Sequence, residues 1–385
     1  LNPAAVLILI SFGIKAAFPF LHTWLQDSYP KASAVGAVML SAFTTKLAVY
    51  TLARGFAGLD LLIFIGAAMT AFPVFFALIE NDLRKVLAYS LNNQVGFMVC
   101  AIGIGTPLAL NGATAHAFVH IIYKALLFMS MGAVMVRVGT TKATELGGLH
   151  KSMPWTTIFC IIGAMSISAF PLFSGFIAKG MITGAASKEH LLFASAGVLE
   201  HSGIKIPYFA FFAHDQFAPS NTGKARPKEA PAPMFIAMAL AAFLCIFIGI
   251  QPQYLLDLLP YEVKFIPYAA DKVVTQMQLL MFAILAFALL VKFRLYPAEI
   301  RSQVLDVDWI WRVPGRMMLM GVVHAFRDIW RGTWGGMRSF IALIIGRLYR
   351  THGSEGLIAR TWPVGYTALM TAVVLGIALV LVLSF

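Results

Sequence analysis

Charge is scarce in this sequence. Only 12% of its 385 residues are Asp, Glu, Lys or Arg, about half the share in an ordinary soluble domain. At 59% apolar and a mean hydropathy of +0.81, the chain cannot cover a water-facing surface, which excludes a soluble globular protein and implies a bilayer. Acidic residues are scarcer still, 17 against 29 Lys and Arg, for a net charge of +12. Nucleic acid is excluded as the partner of that charge, because the aromatics lie inside long apolar runs and leave no basic groove in which bases could stack. The excess is read as membrane topology. Cysteine is limited to Cys100, Cys160 and Cys245, with no CxxC and no Cys/His cluster, so iron–sulfur ligation, structural zinc and a disulfide framework lack a basis. No cofactor is expected. A start methionine and a basic leader are also missing: the chain opens on Leu1 and residues 1–14 carry no n-region of a signal peptide, which suggests a piece of a longer protein.

Uncharged windows long enough to cross about 30 Å of hydrocarbon occur at 61–79, 86–115, 152–178, 230–256, 273–291 and 361–385. Four more, 2–29, 33–54, 111–136 and 190–213, span only if an internal charge is tolerated: Lys15, Lys46, Lys124, and Glu200 with Lys205. Gly103, Gly105, Thr106 and Pro107 divide the window at 86–115, so one helix ends near Gly105 and the next starts near Asn111. The expectation is an all-α polytopic membrane protein of about ten transmembrane helices. Loop charges support the count, since loops rich in Lys and Arg alternate with balanced ones at every step. The loops holding Arg84 and Lys85, Arg137 to Lys151, Lys224 to Lys228, and Lys292 to Arg301 fall on the cytoplasmic side, and the C-terminus outside. Residues 306–350 interleave Arg312, Arg316, Arg327, Arg331, Arg338, Arg347 and Arg350 with Trp309, Trp311, Trp330, Trp334 and Phe340. That reads as an amphipathic interfacial helix on anionic lipid headgroups, broken by Pro314 and the Gly335–Gly336 pair.

An ionisable group at the bilayer centre costs a few kcal/mol, so each one calls for a function or a partner. The strongest constellation is His116, His120 and Lys124 in HAFVHIIYKALLF, where four-residue spacing stacks all three on one helix face, each about 6 Å further along the axis. Histidine titrates near neutral pH and a desolvated lysine moves toward it, so the three can exchange protons along a file of water. Structural histidines beside a snorkelling lysine are the plainer alternative. Zinc binding by the histidine pair lacks both HExxH and an acidic third ligand.

Lys15 in FGIKAAFPF and Lys179 in FPLFSGFIAKG flank helix breaks at Pro19 and Pro171, and broken membrane helices commonly mark ion sites. Lys46 lies deep in its span, while Glu200, His201 and Lys205 share another. Lys15 and Lys179 are 164 positions apart and Lys46 and Lys205 are 159 apart, which suggests an internal repeat.

At these residues the chain resembles the antiporter-type membrane subunits shared by respiratory complex I, Mrp cation/proton antiporters and membrane-bound hydrogenases. GIKAAFPFLHTWLQDSYPKAS, ENDLRKVLAYSLNNQVGFM, HAFVHIIYKALLF, ELGGLHKSMPW and FPLFSGFIAKG carry the resemblance, in order, over about residues 5–215. It implies an inverted-repeat fold in which residues 1–54 end the first repeat and 55–215 form the second, with the proton channel. Further transmembrane helices would fill 216–300, the basic interfacial segment 301–360, and a last helix 361–385. By resemblance, Lys15 stands at the first broken helix, Lys46 on the following helix, Lys124 at the centre with His116 and His120 on its approach, and Lys179 at the exit. Lysine at Lys46 and Lys179, with the LDVDWIWR stretch, leans toward the D-type member of the Mrp antiporters, whereas Glu200 with His201 fits no common motif of the family.

The expected function is a proton-translocating subunit of a multi-subunit Mrp-type antiporter that exchanges H+ for Na+ or another monovalent cation across a bacterial inner membrane. Lys15, Lys46, His116, His120, Lys124, Lys179, Glu200, His201 and Lys205 are its candidate proton pathway, and other membrane subunits its partners. The proton-pumping arm of complex I or a hydrogenase is the alternative. A stand-alone solute transporter would need a substrate pocket, and a scaffold subunit would have no use for so many intramembrane lysines.

Overall fold

The computed structural model describes residues 2–186, 199–217, 225–262, 265–297, 299–300 and 304–384. They form two compact units, Leu1–Asp308 and Trp309–Phe385. The first holds α1 (Pro3–Ala16), α2 (Thr23–Ser28), α3 (Ala34–Gly55), α4 (Leu61–Ile79), α5 (Leu83–Ile104), α6 (Pro107–Val138), α7 (Pro154–Ile167), α8 (Ser174–Ala185), α9 (Ala232–Ile250) and α10 (Ala270–Lys292). The second holds α11 (Arg316–His352) and α12 (Val364–Leu383).

Among the described residues, seven helices are long and apolar enough to cross a membrane: α3, α4, α5, α6, α9, α10 and α12. The three other expected spans are interrupted. One divides into α1 and α2, another into α7 and α8. The third has its first part outside the described residues, and residues 199–212 are wound largely in wide π-type turns.

The two breaks are built alike. After α1, Ala17 and Phe20 adopt left-handed backbone angles; after α7, Ala169 and Leu172 do the same. Each pair brackets the same four-residue pattern, Ala17-Phe18-Pro19-Phe20 and Ala169-Phe170-Pro171-Leu172, displaced by 152 positions. Proline cannot continue the hydrogen-bond ladder, and non-glycine residues rarely hold positive φ unless their surroundings enforce it. This is a sequence repeat visible in the fold, and its period differs from the lysine spacings of 164 and 159. Lys15 therefore precedes its break, whereas Lys179 follows its own, on α8.

The second break leaves no space at Gly175, where an added Cβ would collide with the Ser166 carbonyl oxygen. Gly175→Ala is accordingly expected to lower the unfolding temperature in detergent by several degrees, because the obstruction is backbone that cannot rotate away; an unchanged melting curve would refute the close approach.

The centre of the bundle is α5, which is enclosed along nearly its whole length. It packs tightly on α4 because Gly66 of α4 meets the Cys100 backbone and Gly96 of α5 meets Met69 and Thr70. The start of α5 is pinned by Arg84, which is 1% exposed and donates to Pro30 O at 2.9 Å, Ala32 O at 2.9 Å and Ser33 O at 3.2 Å.

Helix α6 begins one turn earlier than the sequence suggests. Thr106 caps it by accepting from Ala109 N, and Pro107 takes the first helical position, where its missing N–H costs nothing. In the second unit α11 runs unbroken for 37 residues through Gly335 and Gly336, contrary to the expected interruption. Glycine lowers helix propensity by about 1 kcal/mol but keeps its N–H, so the ladder continues; Pro314 lies in the wide turn before the helix.

The basic loops are tied down by ion pairs. Asp215 Oδ2 accepts from Arg226 Nη2 at 2.6 Å and from Lys151 Nζ at 2.9 Å, and these bonds hold its carboxyl down at about 2. The folded pKa lies below the unfolded value of about 4, so this tie is complete above about pH 4 and is lost as pH falls toward 2. The melting-temperature gap between wild type and Asp215→Asn should therefore close between about pH 5 and pH 2. A gap that stayed constant would mean the tie contributes nothing to stability.

Candidate functional site

Five basic side chains from three helices are buried together inside the first unit. Helix α3 contributes Lys46, α6 contributes His116, His120 and Lys124, and α8 contributes Lys179; none is more than 7% exposed. The charges of Lys46, Lys124 and Lys179 all lie near enough to act on His120. The α6 set faces inward because its period of four matches the helical repeat, and it meets α3, α5 and α8, which pack around that face.

Two of the lysines are anchored by backbone. Lys46 Nζ donates to Ser41 O at 2.5 Å, and Lys179 Nζ donates to Ile167 O at 2.8 Å, at the edge of the second break. Lys124 Nζ, both ring nitrogens of His120 and His116 Nδ1 have no hydrogen-bond partner among the described residues. Thr45 Oγ1, Ser168 Oγ and both amide atoms of Asn92 are in the same condition. Buried polar atoms are costly to leave unpaired and are routinely satisfied by internal water. No carboxylate bonds Lys46, Lys124 or Lys179 among the described residues, so positive charge placed on one of them is felt by the others across a medium of low dielectric.

Helix α5 supplies polar groups absent from the expected set. Tyr123 Oη donates to Gln94 Oε1 at 3.1 Å and lies 3.4 Å from His116 Nε2; Gln94 Nε2 in turn bonds Asn93 Oδ1 at 2.6 Å. Asn93 Nδ2 reaches Thr70 O at 2.5 Å, in the turn before Pro73 loosens the α4 ladder. The run Asn92-Asn93-Gln94 in an otherwise apolar helix was the available signal, and Tyr123 follows His116 by two helical turns. Phe97 joins the histidines to α8: its ring centre lies 6.2 Å from that of His116 and 5.2 Å from Lys179 Nζ.

The remaining candidates lie elsewhere. Lys15 is exposed, on a face of α1 that none of the other described residues covers. Lys205 is buried in a separate ionic cluster, where its Nζ donates to Leu78 O at 2.6 Å and Glu80 O at 2.8 Å and pairs with Glu299 at 2.8 Å. Burial pushes the Glu299 carboxyl up while the Lys205 charge pulls it back. Glu80 also pairs with Lys85 at 2.9 Å, and His22 Nε2 meets Asp306 Oδ2 at 2.7 Å. The side chains of Glu200 and His201 lie outside the described residues.

Apolar helices broken by two matching motifs, with titratable groups enclosed between them, define an all-helical polytopic membrane protein. The chain belongs to the family described as NADH:quinone oxidoreductase/Mrp antiporter, transmembrane, which it matches over residues 1–203. It is 29% identical to hydrogenase-4 component B of Escherichia coli over 286 residues, covering 65% of this chain and 42% of that protein. It is 34% identical to the D subunit of the Na(+)/H(+) antiporter of Alkalihalophilus pseudofirmus over 232 residues, 56% of this chain and 47% of the relative. NADH-ubiquinone oxidoreductase chain 5 of Phytophthora infestans is 32% identical over 267 residues, 65% of this chain and 39% of the relative. The chain thus spans less than half the length of these curated relatives. Among solved structures, the Mrp complex from Dietzia sp. DQ12-45-1b shares the fold with a TM-score of 0.59 at 22% identity, covering 74% of this chain and 61% of that one. A chain of the membrane-bound sulfane sulfur reductase, an archaeal respiratory membrane complex, gives 0.58 at 21% identity, covering 97% and 68%.

Proposed function

We propose that this chain is the proton-translocating part of an Mrp-type subunit that exchanges H+ for Na+ or another monovalent cation in a bacterial inner membrane, together with other membrane subunits. The observation that carries the reading is the enclosed line of basic groups, with unsatisfied nitrogens on Lys124, His120 and His116 and no carboxylate bonded to its lysines among the described residues. Protons enter from the side of the basic loops near Lys46 and Lys124, pass His120 and His116, and reach Lys179. This order differs from an approach to Lys124 through the histidines, because His116 shares Phe97 with Lys179 while Lys124 lies two turns away toward the C-terminal end of α6. Each transfer is electrostatic: a proton arriving on one group lowers the affinity of the next, and water completes the connections. Lys15, Glu200, His201 and Lys205 are proposed as accessory members. Helix α11, with arginines interleaved with Trp330 and Trp334, is proposed to lie on anionic lipid headgroups.

The complex I or hydrogenase arm is favoured as the second reading by the longer matches to component B and chain 5, each covering 65% of this chain. The deciding measurement uses the complete complex in everted vesicles loaded with a pH-sensitive dye. Collapse of an imposed proton gradient on adding Na+ supports the antiporter. Gradient formation that depends on an electron donor and ignores Na+ overturns it in favour of the second reading.

A further inference from the structure

Beyond Lys179 a cavity of about 310 Å³ lies between α8 and the beginning of α10, lined by Lys179, Thr183, Asp271, Lys272, Thr275 and Gln276. At about 30 Å³ per water this space holds several molecules, and its polar lining offers each the partners it needs. Helix α10 is fastened directly to the broken segment: Gln276 Nε2 donates to Ser168 O at 3.3 Å, one residue from the Ile167 carbonyl that anchors Lys179. Lys272, also in the lining, donates to Ile266 O at 2.8 Å, with its ammonium 4.1 Å from the centre of the Phe265 ring. Asp271 is the carboxylate in the lining, is exposed, and stands one helical turn from Thr275 on the same face of α10.

The cavity lies at the end of the bundle opposite the basic loops. The start of α6 meets α8 there, with Gly112 against Ile182, and Asn111 exchanges hydrogen bonds with the Tyr261 backbone at 2.6 and 3.0 Å. It therefore continues the line Lys124, His120, His116, Lys179 in one direction rather than branching from it.

We infer that this cavity is the outer vestibule of the proton pathway and that Asp271 is its terminal acceptor. The inference rests on the proton-translocating reading. The Lys179 ammonium releases a proton through cavity water to the Asp271 carboxylate, leaving a neutral amine and a carboxylic acid. The acid ionises into the outer solvent, and the amine takes its next proton from the His116 side. Charge is balanced at each step, and no further reactant is required.

The test uses the full-length protein in its complete complex. Asp271→Asn should lower proton flux at least fivefold with normal amounts of assembled complex, and Asp271→Glu should restore most of it. Thr275→Cys should react with a membrane-impermeant cationic thiol reagent added to the non-cytoplasmic face, and that modification should stop flux. The native cysteines are all buried, so they add little background. Wild-type flux in Asp271→Asn, or reaction of Thr275→Cys only from the cytoplasmic face, overturns the inference. If either occurs while Lys179→Ala still abolishes flux, the exit lies elsewhere and the proton-translocating reading stands. If Lys124→Ala and Lys179→Ala both transport normally, that reading itself has failed.

Discussion

Lys124→Ala is expected to reduce proton flux by about a hundredfold, the scale on which a positioned proton-transfer group contributes, while the complex still assembles. Lys124 is fully buried and its Nζ has no hydrogen-bond partner among the described residues. Removing it breaks no bond, and it relieves the cost of holding a cation in a membrane interior, roughly 2.5–3.5 kcal/mol on insertion scales. Alanine leaves a space where the lysine stem was, so Lys124→Met separates the effects: it fills the same volume without a titratable group. This variant should melt at or above the wild-type temperature and still fail to transport. Lys124→Arg should fail as well, because a guanidinium does not release its proton. Flux by Lys124→Met near the wild-type rate would refute a proton-carrying role, and a large loss of stability would show the lysine to be structural. The same logic separates Lys124 from Lys205, whose ammonium is bonded to two carbonyls and a carboxylate and whose removal should destabilise.

The second large effect is on stability. Arg84→Met should lower stability by about 2 kcal/mol, since it leaves the partly buried Pro30 and Ala32 carbonyls without their donor, at roughly 1–3 kcal/mol for each acceptor left dry, while Ser33 O keeps its bond from Ala37 N. These three carbonyls that Arg84 reaches lie in the turn that leads from α2 into α3, so the loss loosens the position of Lys46 as well as the start of α5. Arg84→Lys should recover only part of the loss, because one ammonium cannot match the planar fork that reaches two carbonyls from one nitrogen and a third from the other. Thermal unfolding of the detergent-purified protein, monitored by tryptophan fluorescence, measures both variants. Equal melting temperatures for wild type and Arg84→Met would show that water replaces the guanidinium at no cost.

Much of this was legible because the bilayer imposes simple rules on sequence. Length and apolarity identify α3, α4, α5, α6, α9, α10 and α12, since each must satisfy its own backbone within the membrane. Charge inside a span marks Lys46 and Lys124, and the four-residue spacing of His116, His120 and Lys124 determines that they share a face. The breaks at Pro19 and Pro171 follow from a residue that has no N–H to give. Other features depend on neighbours that are distant in sequence. No local pattern says that Lys205 meets Glu299, or that Arg84 holds the turn before α3; those pairs exist only because helices from different parts of the chain pack together.

The same distinction separates lysines that look alike as residues. Lys15, Lys46 and Lys179 all stand within or beside apolar helices, yet Lys15 is exposed while the other two are buried. The sequence by itself determined the membrane class, the helices and the inward file on α6, because those depend on hydropathy and helical period alone. Only the tertiary structure decided which lysines the file joins, that Tyr123 and the α5 amides belong with it, and that α10 encloses a cavity beyond Lys179. Those outcomes follow from close packing between helices, which the pattern within any one helix does not encode.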